Sequence, residues 1–153
     1  MHERDVAGVV AFPPLLYGVP LITGLVADRV LSKRRLPPVA QRLAIGCFAA
    51  AGYLVASSFA EFKKAGTAVD PYEETAALVE GGPFAHTRNP IYLGLTFAYC
   101  GVALVARSTL PFALLPAVLW VTNTGVIERE ERYLERKFGK PYRKYMQRVP
   151  RWF

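Results

Sequence analysis

The sequence predicts an all-α membrane protein: a bundle of about four transmembrane helices in one domain, residues 1–153. Hydrophobic residues make up 52% of the chain, and the mean hydropathy is +0.20, which is high for a soluble domain of this size. The net charge is +7. Because the charges lie outside the apolar runs, they indicate juxtamembrane electrostatics rather than a nucleic-acid-binding surface.

Four uncharged segments are the candidate spanning helices: 6–27, 43–60, 91–106 and 108–127. A spanning helix needs about 20 apolar residues; the second and fourth segments have this length, and the third reaches it with Pro90 and Arg107. The first contains three prolines, Pro13, Pro14 and Pro20, so we expect a kinked helix lying partly in the interface. Its mixed-charge start and the lack of a cleavage site argue against a signal peptide.

Two polar regions, 61–89 and 128–153, flank the last pair of segments, which a tight turn at Arg107-Ser108 joins into a hairpin. Residues 1–42 then form an N-terminal helix and basic loop, 43–127 the core helices, and 128–153 a tail with nine of the 19 Lys and Arg residues. The basic tail predicts a cytosolic location for both polar regions, in a plasma (inner) membrane, although the basic loop after the first segment opposes this orientation. Both polar regions share one side in either case.

The tail is expected to continue the fourth segment as a helix. Ile127, Leu134 and Phe138 recur at helical spacing, Gly139 provides a C-cap, and Pro141 prevents continuation. Glu130 and Glu131 then lie about one turn beyond the membrane boundary, where the hairpin brings them near Arg88-Asn89.

These residue types can bind a polar ligand. The Gly81-Gly82 pair permits close backbone approach, Arg88 can hold a carboxylate or phosphate, and Glu130 or Glu131 can accept from ribose hydroxyls or an ammonium group. S-adenosylmethionine fits this set, as does a nucleotide or a lipid headgroup. A solvated charged helix with an interfacial anchor is the alternative without a ligand.

Two motifs, "GPFAHTRNPIYLG" and "EREERYLERKFGKPYRKYMQRVPR", resemble the isoprenylcysteine carboxyl methyltransferase and phospholipid N-methyltransferase superfamily of integral membrane enzymes. The resemblance covers residues 43–153. Three residues of the first motif depart from, or vary, the usual pattern: Ala85 replaces an arginine, His86 a tyrosine, and Asn89 is a variant of a frequent histidine.

The resemblance implies a methyltransferase that uses S-adenosylmethionine and acts on a lipophilic or lipidated acceptor entering laterally from the membrane lipids. It implies cofactor-binding residues Gly81, Gly82, Phe84, His86, Arg88, Asn89, Tyr92, Glu130 and Glu131, and catalytic residues Arg88, Asn89 and Glu131. An amine acceptor would need a base, for which Glu130, Glu131 and His86 are candidates. Because His2 and His86 are the only histidines, we expect no metal.

Two other classes of function stay open from the sequence. One is a non-catalytic membrane scaffold or lipid-binding protein with this fold, suggested by the departures at Ala85 and His86. The other is a membrane reductase that uses a nicotinamide cofactor. Neither motif identifies the acceptor: prenylcysteine, phosphatidylethanolamine, a small thiol and an isoprenoid quinone precursor all fit.

Overall fold

Helices account for all regular secondary structure in the residues that a computed structural model of the chain describes, 8–31, 35–69 and 73–153. The predicted all-α fold is confirmed. The elements in order are α1 (Pro13–Leu31), α2 (Ala40–Ala65), a 3₁₀ turn (Gly82–Ala85), α3 (Pro90–Val105), α4 (Leu110–Thr122), a π-helical turn (Asn123–Ile127), α5 (Glu128–Phe138) and α6 (Lys140–Arg148).

Three of these helices are long and apolar enough to cross a membrane: α1, α2, and the continuous helix Leu110–Phe138 that α4, the π-helical turn and α5 form together. α3 is apolar but has only 16 residues. Large apolar side chains remain exposed along α1 and α2; Ile22 is 63% and Ile45 73% exposed. Lipid contact explains such surfaces, which a soluble monomer rarely carries.

α1 begins later than the sequence predicts and runs as one helix from Pro13 to Leu31. Pro13 and Pro14 occupy its first turn, where a proline removes no helical hydrogen bond, and only Pro20 lies in the interior. Residues 6 and 7 lie outside the described residues. The helix also runs past residue 27 to Leu31, and the Asp28 carboxylate is satisfied by Ser108 and Thr109 in the turn between α3 and α4.

α3 lies between α1 and α2 and approaches α2 closely through glycines. A Cβ atom on Gly94 would lie 2.8 Å from Val55 Cγ2, and one on Gly101 would lie 2.9 Å from Phe48 Cε1. Small residues allow such close packing where lipid removes the hydrophobic driving force between helices. α1 contacts α4 as well as α3, so α1 and α2 flank the same face of the bundle.

The predicted turn at Arg107-Ser108 is present and is tied to α1. The fully buried Asp28 carboxylate accepts from Ser108 Oγ (2.6 Å), Thr109 N (3.1 Å) and Thr109 Oγ1 (3.2 Å). Arg107 has φ 54° and donates from Nε to the Leu36 carbonyl at 2.6 Å. These bonds fix the end of the bundle that lies away from the tail.

The tail contains one helix more than the sequence predicts. As expected, the fourth helix continues to Phe138 and stops at Gly139, where φ is 57°. Pro141, however, lies in the first turn of a new helix, α6, where its missing N–H is harmless. The pattern at Gly139-Pro141 therefore marks a sharp corner between two helices, and α6 folds back against the other polar region.

Candidate active site

A cavity of about 560 Å³ lies where the two polar regions meet the ends of the membrane helices. This volume is typical of a small-molecule site. Polar groups at one end belong to Arg88, Asn89, Tyr92 and Glu130, and the remaining wall is largely apolar. The lining residues are Phe12, Pro13, Pro14, Val55, Phe59, Phe62, Ala68, Val69, Thr75, Ala77, Leu78, Val79, Phe84, Arg88, Asn89, Pro90, Ile91, Tyr92, Leu95, Glu130, Tyr133, Leu134, Tyr142 and Tyr145.

The segment that carries Arg88 is held by the end of the chain. Arg88 N donates to the Pro150 carbonyl at 3.0 Å. The Arg151 carbonyl accepts from Thr87 Oγ1 at 3.1 Å and from Asn89 Nδ2 at 2.9 Å. The Asn89 side chain is therefore used to hold the loop in place, although the residue also lines the cavity.

Arg88 and Arg151 share the Glu131 carboxylate. Arg88 Nη1 lies 3.0 Å from Glu131 Oε1, with side chains 12% and 14% exposed. Arg151 donates to both oxygens, from Nε at 3.1 Å and also from Nη2. Arg151 Nη1 donates to Asn123 Oδ1 at 3.1 Å. Glu131 is absent from the cavity wall, so its contacts are those of a residue that positions Arg88.

Arg88 keeps unused hydrogen-bonding capacity. Its Nε and Nη1 are buried and have no hydrogen-bond partner within the described part of the chain; the Glu131 oxygen is near Nη1 but is not aligned as an acceptor. A buried donor without an acceptor costs roughly 1–3 kcal/mol, and more when it is charged. A cavity-lining guanidinium in this state is suited to an anionic ligand group.

Glu130 lies beside Arg88 in the cavity wall and is fixed by α3. The Tyr92 hydroxyl donates to Glu130 Oε1 at 2.6 Å, and Tyr92 itself is 8% exposed. This bond uses one carboxylate oxygen, and the other remains available to accept from a hydroxyl or ammonium group. Arg88 and Glu130 thus present a cationic donor and a carboxyl acceptor to one cavity, which suits a ligand that has an anionic group beside hydroxyl or ammonium groups.

Three tyrosines complete the polar end of the cavity, and each is 3% exposed or less. Burial, with Glu131 nearby, raises the pKa of Tyr142 to about 12 despite the opposing Arg88 charge. Burial also raises the pKa of Tyr145, whose hydroxyl donates to the Phe84 carbonyl at 2.7 Å. Both hydroxyls are therefore protonated at physiological pH. Tyr133 accepts at its hydroxyl from Thr75 N at 3.1 Å.

The loop between α2 and the 3₁₀ turn covers the cavity on the polar side. Ala77, Leu78 and Val79 line the cavity from this loop. Besides the Thr75–Tyr133 bond, two ion pairs connect it to the tail, Glu74 with Lys137 and Glu80 with Arg148. The two polar regions are thus brought together, as the hairpin argument predicts.

Several residues of the predicted site lie outside the cavity. His86 is exposed and follows the 3₁₀ turn. A Cβ atom on Gly81 would lie 2.7 Å from Glu61 Oε2, and one on Gly82, where φ is 56°, would lie 2.9 Å from Glu61 Cγ. The glycine pair therefore accommodates the Glu61 side chain. Of the nine residues implied for the cofactor, Phe84, Arg88, Asn89, Tyr92 and Glu130 line the cavity.

Sequence reasoning missed three contributions to the site. The sequence analysis assigns no part in the site to Tyr142 and Tyr145, to Arg151, or to the first segment, whose Phe12 and Pro14 line the cavity. The i, i+3 spacing of the two tyrosines in a highly charged tail was the available signal, because it places two aromatic rings on one helix face. Nothing in the sequence pairs residue 12 with residue 59.

Taken together, these features describe an apolar helical bundle with a cavity that is lined by charged and apolar residues. A sequence model of the phospholipid methyltransferase family matches residues 39–141, more than half of the chain. The chain belongs to the phospholipid methyltransferase family, as its motifs predict, and it is an integral membrane protein. α1 and most of α6 lie outside the matched range.

Two curated relatives are similar over part of the chain. A protein-S-isoprenylcysteine O-methyltransferase of Schizosaccharomyces pombe is 33% identical over 73 residues, covering 48% of this chain and 31% of that enzyme. An uncharacterised protein of Haemophilus influenzae is 39% identical over 62 residues, covering 40% of this chain and 98% of that protein. The matched part thus spans under a third of the yeast enzyme's length. No solved structure is significantly similar.

Proposed function

We propose that the protein is an S-adenosylmethionine-dependent methyltransferase that modifies a lipophilic acceptor within the membrane. The observation that carries this proposal is the continuity of one cavity from Arg88 and Glu130 to the lipid-facing residues of α1 and α2. Such a cavity can take a polar methyl donor at one end and an apolar acceptor at the other. Family membership supports the reaction class.

The residues present fit the methyl donor. S-adenosylmethionine has a carboxylate, for which Arg88 Nε is a suitable donor, since it has no hydrogen-bond partner among the described residues. Its ammonium or ribose hydroxyls can donate to the Glu130 oxygen that Tyr92 leaves free. Apolar side chains such as Phe84 and Leu134 can cover the adenine ring.

When bound, this donor would supply an electrophilic methyl group, which an acceptor lone pair takes as the carbon–sulfur bond breaks. The chain's residues need to align the two partners and keep water out. The loop that covers the cavity serves the second purpose. An oxygen acceptor of the isoprenylcysteine carboxylate type needs no base, whereas an amine of the phospholipid type must lose a proton, for which Glu130 is the nearest carboxylate.

Binding of S-adenosylhomocysteine to purified protein in detergent tests the donor site. We expect Arg88→Ala and Glu130→Gln each to weaken affinity roughly tenfold or more, the loss expected for a charge-assisted hydrogen bond. Arg132→Ala and Glu73→Gln are matched controls, because both residues are exposed and lie outside the cavity. Equal affinity in the site variants and the controls, or protection by NADPH instead, would contradict the proposal.

Methyl-labelled S-adenosylmethionine added to a membrane extract then identifies the acceptor class. We expect labelled material to partition with lipids or lipidated peptides, and to disappear in the Arg88→Ala variant. Label confined to small water-soluble molecules would contradict a membrane acceptor. The orientation proposed with this function places residues 61–90 and the tail in the cytosol, where the methyl donor is made.

A further inference from the structure

The apolar end of the cavity is lined by residues at the start of α1 and by residues of α2, and its partly exposed part is called the opening. On one side lie Phe12 and Pro14, and on the other lie Val55 and Phe59. Phe12 is 46% and Phe59 50% exposed, so both rings stand at the edge of the opening. Leu95 on α3 forms part of the inner wall.

Along the axis of α2, this opening lies beside the apolar, uncharged part of the helix. Val55 precedes the end of α2 at Ala65 by ten residues, which corresponds to roughly 15 Å at about 1.5 Å per residue. Because the uncharged stretch of α2 extends to residue 60, the opening faces lipid. Its occupant therefore reaches the cavity from the bilayer.

The α1 side of the opening is held in a fixed position. Val10 N donates to the Gly125 carbonyl at 3.2 Å, and Arg129 Nη1 donates to the Gly8 carbonyl at 3.0 Å. Val9 is 8% exposed and packs with Tyr92 and Ile127. The segment before α1 is thus anchored to the helix that carries Glu130.

We propose that Phe12 determines which apolar tail of the acceptor can enter the cavity. The segment around Phe12 lies outside the range that matches the family, so this side of the opening is a feature that the family assignment does not supply. Phe12 and Phe59 both line this end of the cavity, and a larger or smaller side chain at position 12 should change the space available to a branched tail. The inference rests on the proposed function in one respect, that the occupant is the methyl acceptor.

Photocrosslinking tests the opening without requiring turnover. The probe is an N-acetyl-S-farnesylcysteine analogue with a diazirine at the end of its tail, added to the protein in lipid nanodiscs. We expect adducts to concentrate at residues 12–14 and 55–62, several-fold above those at Ile22 and Ile45, which are as exposed to lipid. Excess unlabelled N-acetyl-S-farnesylcysteine should compete only at the opening.

Variants then separate the role of Phe12 from lipid contact in general. Phe12→Trp should reduce labelling at residues 55–62 several-fold, and Phe12→Ala should increase labelling by a geranylgeranyl analogue. Leu15→Trp is the matched control, because Leu15 is 59% exposed on α1 but does not line the cavity. Uniform labelling of all lipid-facing residues, or equal effects at positions 12 and 15, would overturn the inference.

The two proposals fail in different measurements. Loss of the donor site would be seen as absent S-adenosylhomocysteine binding in the unmodified protein, whatever the crosslinking map. Loss of the selective opening would be seen in the crosslinking map while S-adenosylhomocysteine binding persists.

Discussion

Glu131 has a different place in the structure from its neighbour Glu130. Glu130 lines the cavity and accepts from Tyr92, whereas Glu131 lies behind the wall, between Arg88 and Arg151. Two adjacent carboxylates therefore face different partners, because successive helix residues point about 100° apart. Glu130 therefore faces the cavity, whereas Glu131 holds Arg88 in place.

A double-mutant cycle on Glu131 and Arg151 tests this positioning role. Replacing either residue by Ala should destabilise the protein by about 1.5–3 kcal/mol, because hydrogen bonds between charged groups are lost, and the two losses should couple. The Glu135–Arg143 pair is the control, since its side chains are 43% and 52% exposed and such pairs contribute at most about 1 kcal/mol.

Chemical or thermal unfolding in detergent measures each variant. A coupling between Glu131 and Arg151 no larger than that between Glu135 and Arg143 would contradict the buried network. Affinity for S-adenosylhomocysteine provides a second readout, which Arg151→Lys should weaken if Arg151 positions Arg88. A purely structural role for Arg151 would lower stability and leave that affinity unchanged.

At the scale of helices, the contact between α2 and α3 depends on residues without side chains. Gly94 and Gly101 face α2, and α3 supplies Tyr92 and the segment beside Arg88. The spacing of these two helices therefore affects both the apolar opening and the polar end of the cavity. Other glycines, such as Gly52 on α2, have no atom within 4 Å of an added Cβ and make no such contact.

Gly94→Ala and Gly101→Ala should each destabilise the protein by about 1–3 kcal/mol, the usual range for an overpacked contact. The same change at Gly52 should be neutral or stabilising by about 0.4–1 kcal/mol, because alanine favours the helix and meets no neighbour. Unfolding in detergent is again the measurement. A Gly52→Ala variant as unstable as Gly94→Ala would show that helix packing is not the cause.

The sequence predicted the helices well, because charged residues bound the apolar runs, as Arg88 and Arg107 do around α3. It predicted that the two polar regions lie close together, because α3 and α4 form a hairpin and the two polar regions are attached to its two open ends. It could not predict α6, because the proline at position 141 can either end one helix or begin the next. Nor could it predict that Glu130 lines the cavity while Glu131 pairs with Arg88 and Arg151, since that depends on how the helix is rotated about its axis.

At the scale of the whole molecule, the polar regions define one face of the protein and the loop after α1 defines the other. The family model covers residues 39–141, so α1 lies outside the matched part of the bundle. Because α2 runs from the loop after α1 to the first polar region, a membrane-spanning α2 places these two parts on opposite sides of the membrane.

Cysteine labelling in sealed vesicles tests this topology, in a background with Cys47 and Cys100 changed to alanine. We expect an impermeant maleimide to label Glu73→Cys and Arg143→Cys from the cytosolic side and Arg35→Cys from the other, because all three residues are exposed. Labelling of Arg35→Cys and Glu73→Cys from the same side would contradict a membrane-spanning α2.

The π-helical turn at Asn123–Ile127 changes the direction in which the side chains of α5 point. A π turn contains one residue more than an α turn, which rotates the next stretch by about 100° relative to a regular helix. The Gly125 carbonyl in this turn accepts a hydrogen bond from Val10 N at 3.2 Å. With regular pitch, the direction now taken by Glu130 would belong to a neighbouring residue. The extra residue thus rotates α5, which carries Glu130, relative to the apolar α4.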